Sequence, residues 1–315
     1  MPRAAAGAEA TGAGGGTIEV RTLDACLVCG GKRLEPLPLV YDYRDTRFPL
    51  VECRECGMRF LSVQPAAESY SALYDSSYFE NDFRCGRCET NSADEAAFRA
   101  ENRGLLDDFA TLRPPGRLLD VGCAAGWLVK HAGERGWQAQ GVEFSPDPVA
   151  IARANGLDVI QGDLLAARFP AASFDLVYLG DVLEHVPDCR AILGEVARIL
   201  APGGFLYLRG PTTTHSLGRS LALAVYAAAG RPIVLHEPPY HLWEFTPGSL
   251  GRLARSAGLH VERMRQSKIP PGRSHGQKSV LQSAALAALD TVNLPITSLF
   301  NARGDRVVMV ARRPL

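Results

Sequence analysis

The sequence predicts an α/β fold: a doubly wound, mostly parallel sheet of seven strands, preceded by a small cysteine-rich zinc ribbon. Three observations support this prediction. Residues 117–143 have the pattern of a strand, a glycine-containing loop, a helix and a second strand that ends on an acid. Apolar strand patterns and helical patterns alternate after this unit, as they do in parallel sheets with crossover helices. Two Cys-x-x-Cys pairs precede the unit.

Length and composition limit the classes of protein to be considered. The chain has 315 residues, 46% of them hydrophobic, and a formal net charge of zero. This length suits one large domain and one small one, and the neutral charge gives no general reason to expect nucleic acid or an anionic membrane as a partner. Residues 1–22 are predicted to be a disordered tail, because the first 17 are rich in Ala and Gly and lack the apolar core of a signal peptide. The longest apolar run, Leu221–Ala229, is too short to cross a bilayer.

The first predicted module, residues 23–64, contains two cysteine pairs with 23 residues between them. Each pair offers two thiolates from one tight turn, and the glycine after each pair permits left-handed backbone. Four sulfur ligands form a closed tetrahedral zinc site, which stabilises a module that has little apolar core of its own. The predicted structural zinc ligands are Cys26, Cys29, Cys53 and Cys56. Free or redox-active cysteines are the alternative.

Two further features bear on the location and the partners of this module. Six of the eight cysteines lie in Cys-x-x-Cys pairs, which predicts metal binding in a reducing cytoplasm rather than disulfides. Residues 1–92 carry 10 Lys and Arg against 13 Asp and Glu. A module that binds phosphate backbones should be basic. We therefore expect the module to dock on the larger domain, beside its acceptor site, and not to bind nucleic acid.

Residues 65–92 are predicted to be an aromatic connector. Their rings are expected to pack one domain onto the next, with Tyr78 as a hydroxyl that could face the site. Cys85 and Cys88 form a third pair without a fourth partner. These two cysteines could be half of a second metal site, a redox pair, or two surface thiols.

The unit of residues 117–143 indicates the class of ligand. Glycines in the loop let backbone approach a ligand at the start of the following helix, and Glu143 is placed to accept the hydroxyls of a ribose. A dinucleotide fingerprint would require glycine at 124 and 127, where the chain has Ala124 and Trp127. Asp120 would repel a pyrophosphate but suits a cationic ligand, such as the ammonium and sulfonium of S-adenosylmethionine. A loop that serves only helix–strand packing is the alternative.

Further strands and helices follow in the order that a doubly wound sheet requires. Asp163 comes after the third strand, as a contact to an adenine or as a helix cap. The cluster Asp181, Glu184 and His185 comes after the fourth strand, at the edge where such sheets bind their ligands. This cluster could contact the acceptor, bind a divalent ion, or only hold the loop in its structure. Long insertions at about 211–245 and 268–300 are expected to cover an acceptor pocket, and a last antiparallel strand is expected over residues 305–311.

Two stretches carry a resemblance to a known family. GDLLAARFPAASFDLVYLGDVLEHVPD (residues 162–188) and LAPGGFLYLRGP (residues 200–211) resemble ubiquinone-type and deoxysugar methyltransferases of class I. With the cysteine pairs in front, the chain resembles zinc-ribbon deoxysugar C-methyltransferases that lack their C-terminal domain. The resemblance implies a Rossmann-like domain over residues 93–315 with S-adenosylmethionine as cofactor. The cofactor contacts expected from the motifs are Asp120, Gly122, Cys123, Gly126, Glu143, Phe144, Asp163, Leu164 and Gly180.

The same resemblance implies a catalytic base. His241-Leu-Trp-Glu-Phe resembles the stretch of the sugar C-methyltransferases that contains their catalytic histidine. His241 is therefore the first candidate base, His185 the second, and Tyr78 an orienting hydroxyl.

The function expected from the sequence is in-line methyl transfer from S-adenosylmethionine to oxygen or carbon of a small molecule, such as a sugar nucleotide or another secondary metabolite. Residues 252–278 carry seven Lys and Arg against one acid, which favours an anionic acceptor. A monomer or a homodimer is expected. A zinc-ribbon RNA methyltransferase and a non-catalytic S-adenosylmethionine-binding protein are the alternatives, and a dehydrogenase is disfavoured by the loop.

Overall fold

The computed structural model describes residues 18–66, 69, 73, 92–268, 291 and 293–315. Residues 20–22, predicted to belong to the disordered tail, instead form a strand that pairs with residues 63–65. The predictions for residues 1–17 of the tail, for Tyr78 and for the pair Cys85 and Cys88 lie outside the described residues. So do most of the connector and residues 269–290 of the second insertion. Within the described ranges, no helix has both the length and the apolar character needed to cross a bilayer.

The strands, in chain order, are β1 (Val20–Thr22), β2 (Leu34–Tyr43), β3 (Thr46–Cys53), β4 (Arg59–Leu61), β5 (Val63–Pro65), β6 (Arg117–Val121), β7 (Gln138–Glu143), β8 (Val159–Gln161), β9 (Phe174–Gly180), β10 (Leu200–Pro211), β11 (Ile233–Leu235), β12 (Trp243–Glu244), β13 (His260–Ser267) and β14 (Arg306–Arg312). The helices whose two ends lie in the described residues are α1 (Ser92–Leu112), α2 (Trp127–Glu134), α3 (Pro146–Ala154), α4 (Cys189–Ile199), α5 (Leu217–Ala228) and α6 (Pro247–Ser256). Residues 293–300 are also helical.

Seven strands form the main sheet in the order β13-β14-β10-β9-β6-β7-β8. Neighbours from β10 to β8 are parallel, whereas β14 is antiparallel to both β10 and β13. The predicted fold class is confirmed, including the antiparallel strand near the C-terminus. Strand order reverses between β6 and β9, and a crevice for ligands lies outside the carboxyl ends of strands at such a switch point.

Local sequence explains where several helices begin. Asp188 caps α4, since its carboxylate accepts hydrogen bonds from the backbone N–H groups of Arg190 and Ala191. Thr246 and Ser249 form a capping box at the start of α6, with a proline at the first helical position. This cap fixes the point where the chain leaves β12.

Apolar side chains fill both faces of the main sheet. On one face, the fully buried Phe109 of α1 lies among the rings of Trp137, Tyr178 and Tyr207, at centroid distances of 6.2, 5.8 and 5.1 Å. The core of the other face continues without a break into the side chains of the cysteine-bearing module. The module therefore shares a hydrophobic core with the large domain.

A second sheet makes this connection through the backbone. Its five strands have the order β11-β2-β3-β4-β12. β11 and β12, both from the segment 211–245, therefore lie at opposite edges of the module's own strands β2, β3 and β4. β11 is parallel to β2, and β12 is antiparallel to β4. Phe60 of β4 packs on Trp243 of β12 with ring centroids 5.7 Å apart. The sheet of the module is thus built from two distant segments of the chain, residues 34–61 and residues 233–244.

Candidate active site

The loop after β6 lies at the switch point and has an unusual backbone. Gly122, Ala124 and Gly126 have φ values of 70°, 47° and 80°, in the left-handed region that favours glycine. A Cβ on Gly122 would lie 2.5 Å from Cγ2 of Val182, so this glycine also lets two loops approach each other. Ala124 adopts this conformation although it carries a Cβ, so its backbone is strained.

Glu143, at the end of β7, holds this loop in place. Its Oε2 accepts a hydrogen bond from the backbone N–H of Ala124 at 3.0 Å, and its Oε1 accepts one from that of Ser145 at 2.8 Å. The side chain is largely buried. Burial raises the pKa of Glu143, although these backbone donors oppose the rise. The carboxylate is therefore at the edge of the crevice, tied to the loop that the cofactor would contact.

Asp120 lies below the loop and is only 4% exposed. Burial raises its pKa to about 8, and the negative charge of Glu143 adds to the rise, while the guanidinium of Arg209 opposes it. A cation placed beside Asp120 would favour its charged form. This electrostatic setting suits a cationic ligand and does not suit a pyrophosphate.

The other predicted cofactor contacts take different positions. Asp163 accepts a hydrogen bond from the backbone N–H of Ala166 at 2.7 Å, so its carboxylate caps a turn. Leu164 and Cys123 are buried, the latter beneath the loop against Gly141. Phe144 is 47% exposed beside Glu143. Gly180 is the last residue of β9, at the switch point.

A second cluster forms at the same edge of the sheet, where the loop after β9 meets β12. The rings of His185 and His241 lie 4.8 Å apart. Nε2 of His185 is 3.8 Å from Oε1 of Glu184, and Nδ1 of His241 is 3.8 Å from Oε1 of Glu244. The Nδ1 atom of His185 lies 3.0 Å from the carbonyl oxygen of Tyr240. Two imidazoles thus lie between two carboxylates.

The two histidines of this cluster differ in their electrostatics. Burial, assisted by the neighbouring His241, lowers the pKa of His185 to about 3. Burial also opposes the charging of His241, but the carboxylate of Glu244, assisted by that of Glu184, outweighs it and raises the pKa of His241. His185 is therefore neutral, whereas a proton on His241 is stabilised.

The two carboxylates differ in the same way. Burial, with the charge of Asp181 second, raises the pKa of Glu184 to about 8, and its Oε1 accepts no hydrogen bond from the described residues. Burial of Glu244 is outweighed by His241 and by the hydroxyl of Thr214, which lower the pKa of Glu244. Glu244 is therefore the charged partner of His241.

Three of these side chains also have the chemistry of a metal site. Glu184, His185 and His241 offer ligand atoms that all lie within 4.8 Å of one another, and imidazole with carboxylate is a common donor set for divalent ions. The set differs from the cluster expected from the sequence, because Asp181 pairs with Arg306 instead. Both carboxylate oxygens of Asp181 accept from Nη2 of Arg306 at 2.9 Å.

Comparison with known proteins identifies the family. Residues 94–263, more than half of the chain, match the family model described as "Methyltransferase domain". A ubiquinone biosynthesis O-methyltransferase of Xanthomonas axonopodis pv. citri is 35% identical over 54% of this chain and 74% of its own length. A protein of the same name from Xylella fastidiosa is 31% identical over 54% of this chain and 72% of its own length. The chain belongs to the class I S-adenosylmethionine-dependent methyltransferases.

Solved structures overlap the methyltransferase in part. An S-adenosylmethionine-dependent methyltransferase from Archaeoglobus fulgidus aligns with a TM-score of 0.46 at 15% identity, over 69% of this chain and 94% of that one. An enzyme of the same description from Mesorhizobium loti aligns with a TM-score of 0.45 at 22% identity, over 65% of this chain and 95% of that one.

The methyltransferase carries its four predicted zinc ligands in one cluster. The sulfur atoms of Cys26 and Cys56 are 3.6 Å apart, those of Cys29 and Cys53 are 3.5 Å apart, and all four lie within 4.8 Å of one another. A tetrahedral zinc with bonds of about 2.3 Å would place its sulfurs about 3.8 Å apart. The four cysteines carry no disulfide. The donor set and its spacing therefore fit a closed zinc site.

Three residues that shape the active site were missed by sequence reasoning. Glu244 had a detectable signal, because an acid three residues after a histidine can contact it where the backbone forms a turn or a helix. Thr214 and Arg209 had none, since Thr214 contacts Glu244 across 30 residues and Arg209 pairs with Glu101 across 108. Such contacts depend on how distant strands meet at the sheet edge.

Proposed function

We propose that this methyltransferase transfers the methyl group of S-adenosylmethionine to a hydroxyl oxygen of a small-molecule acceptor, with His241 as the general base. The observation that carries the proposal is the pair of His241 and Glu244 at the carboxyl edge of the sheet, beside the cofactor crevice. The similar proteins of Xanthomonas and Xylella are named as O-methyltransferases of ubiquinone biosynthesis, which supports a small hydroxylated acceptor.

In the proposed reaction, the acceptor oxygen attacks the methyl carbon in line with the sulfonium. The O–C bond forms while the C–S bond breaks, and the electron pair of that bond returns to sulfur. The proton of the hydroxyl moves to His241. Because Nδ1 of His241 faces Glu244, Nε2 is the atom left to accept this proton.

Glu244 stabilises the imidazolium that this step forms. The carboxylate is itself held in place, since its Oε2 accepts from the backbone N–H and from the hydroxyl of Thr214 at 3.4 and 3.1 Å. The methyl donor is already activated, so the remaining task of the protein is to align the two reactants and to exclude water.

The cofactor contacts follow from the crevice. We propose that Glu143 accepts the ribose hydroxyls, that Asp120 faces the ammonium, and that Gly122 and Gly126 allow the loop to approach the methionine part. Asp163 and Leu164 are proposed to contact the adenine, and Phe144 to cover it. Cys123 and Gly180 are proposed to shape the floor of the crevice.

Zinc bound by Cys26, Cys29, Cys53 and Cys56 would stabilise residues 23–64 as a structural module. Thiolate ligands of this kind also suit the reducing cytoplasm. An anionic acceptor remains a proposal that rests on the charge of residues 252–278, of which Lys268 is already paired with Asp305 at 2.5 Å. A monomer or a homodimer remains a prediction.

A labelled methyl group tests the proposal directly. The enzyme is incubated with S-adenosylmethionine carrying a ¹³C methyl group and with two sets of acceptors, catechols and sugar nucleotides. The ¹³C chemical shift of the product then distinguishes an O-methyl from a C-methyl group. We expect an O-methyl product whose formation His241→Asn lowers at least about a hundredfold.

The matched control is His260→Asn. His260 is exposed, and it pairs with Arg312 at the amino end of the sheet, away from the crevice. Full turnover by His241→Asn would remove His241 from the mechanism. A C-methyl product would favour the alternative that comes from the resemblance to sugar C-methyltransferases.

A further inference from the structure

The cysteine-bearing module reaches the active site through strand β12. Trp243 and Glu244 of β12 pair with Phe60 and Arg59 of β4. The backbone N–H of Leu61 donates to the carbonyl of Leu242 at 3.1 Å, which extends the pairing toward His241. The backbone from Leu242 to Glu244 is therefore in register with a strand of the module.

Arg59 adds a side-chain contact to this register. Its Nε donates to Oε2 of Glu52 on β3 at 2.8 Å, and its Nη1 donates to the carbonyl of Thr214 at 2.6 Å. The Arg59 side chain is only 14% exposed and that of Glu52 is 19% exposed. One guanidinium thus joins the module to the turn at Thr213–His215 that follows β10.

Thr214 carries this connection to the base. Its N–H and its hydroxyl both donate to Glu244, whose other oxygen faces His241. Two routes therefore lead from Arg59 to Glu244: one through the paired strands and one through Thr214. Arg59 itself contacts neither of the two histidines in the contacts found among the described residues.

We infer that Arg59 is a positioning residue for methyl transfer, and that it holds Glu244 against His241 through the carbonyl of Thr214 and the register of β4 with β12. This inference rests on the proposed role of His241. It assigns the module a part in the active site in addition to its own stability. The alternative is that Arg59 only fastens the module to the large domain.

Arg59→Met tests this inference, with Arg54→Met as its matched control. Arg54 also lies beside Glu52, at 3.4 Å, but it pairs with Glu35 on the exposed side of the sheet. Among the described residues, its side chain contacts these two acids and not Thr214. Four quantities are measured for each variant: kcat, the affinity for S-adenosylhomocysteine, the zinc content, and the amide hydrogen exchange of residues 240–246.

We expect Arg59→Met to lower kcat by about tenfold to a hundredfold, because small misplacements of a catalytic group have effects of this size. The affinity for S-adenosylhomocysteine and the zinc content should stay within about twofold of the wild type, since neither site contains Arg59. Exchange at Leu242 and Trp243 should rise at least about tenfold. Both amides donate to the carbonyl of Glu184, so they report on the position of β12.

A second variant covers the case in which Arg59→Met does not fold. Thr214→Val removes the hydroxyl that binds Glu244 but leaves the two sheets intact, so it should lower kcat without changing exchange within β3 and β4. The inference is overturned if Arg59→Met matches Arg54→Met in exchange at 240–246 or in kcat. It is overturned equally if Thr214→Val retains the wild-type kcat.

The failure of the proposed base gives a different pattern. His241→Asn would then be fully active, while the exchange at 240–246 would still separate Arg59→Met from Arg54→Met. The two hypotheses are therefore distinguished by the exchange data, which require no acceptor.

Discussion

The buried Asp120 predicts that the affinity for the cofactor depends on pH. Its pKa in the ligand-free protein is raised to about 8 by burial and by Glu143. The ammonium of S-adenosylhomocysteine favours the charged carboxylate, so the ligand selects the deprotonated form. We therefore expect binding to release a proton from Asp120 below pH 8.

The size of the effect follows from the charged fraction. With a pKa of about 8, about one molecule in a hundred has a charged Asp120 at pH 6, and about one in ten at pH 7. The affinity should therefore rise about tenfold per pH unit in this range, which corresponds to about 1.4 kcal/mol per unit. The affinity rises with pH and does not fall, because the carboxyl group is mostly protonated at any pH below its raised pKa. The rise should level off above pH 8.

Isothermal titration calorimetry with S-adenosylhomocysteine at pH 6, 6.5, 7 and 7.5 measures this slope. Titrations in two buffers of different ionisation enthalpy give the number of protons released, which should be close to one at pH 6. Asp120→Asn should remove both the slope and the release, whereas Asp158→Asn, at an exposed carboxylate of the amino edge, should keep both. An affinity that stays constant from pH 6 to 7.5 without proton release would refute the placement of Asp120 beside the ammonium.

Four further predictions concern the base, the metals and the core. Glu244→Gln should lower kcat by about tenfold to a hundredfold with unchanged affinity for S-adenosylhomocysteine, because the imidazolium of His241 loses its counter-charge. Steady-state kinetics measure kcat and calorimetry measures the affinity, and a wild-type kcat would contradict the prediction. The purified protein should contain one zinc per chain by elemental analysis. Cys53→Ser should lose this zinc and unfold at a lower temperature in a thermal scan. A metal-free variant as stable as the wild type would argue against a structural zinc. Turnover should persist in excess EDTA after a short incubation that leaves the cysteine-bound zinc in place. A loss of turnover that Mg²⁺ restores would instead assign Glu184, His185 and His241 to metal binding. Phe109→Ala should destabilise the fold by about 3 to 5 kcal/mol, because it leaves a cavity enclosed by three aromatic rings. Urea unfolding measures the free energy of unfolding, and Phe144→Ala, at an exposed position, is the comparison.

Much of the main sheet could be predicted because its signals are local. The strands β6 and β9 are mostly apolar and largely buried, and the loop between β6 and α2 shows its glycines in the sequence. The acid at the end of β7 follows at a fixed spacing from that loop. Each of these features depends on neighbours within about 25 residues.

The features that the sequence did not reveal depend on distant contacts. The pairing of β11 with β2 joins Leu235 to Tyr41, and nothing local in either strand specifies its partner. The ion pair between Asp181 and Arg306 spans 125 residues. Asp181 thus pairs with Arg306, whereas His241 lies with Glu184 and His185. Periodicity and motif spacing carry no information about such contacts.

The two-edged sheet of the module has a consequence for synthesis on the ribosome. The hairpins of β2, β3 and β4 emerge early, but their edges stay unpaired until residues 233–244 have left the exit tunnel. Nascent chains lengthen by about 5 to 20 residues per second, so this interval lasts on the order of ten seconds or more. Zinc that binds the four cysteines during this interval would stabilise the hairpins before their outer strands are added.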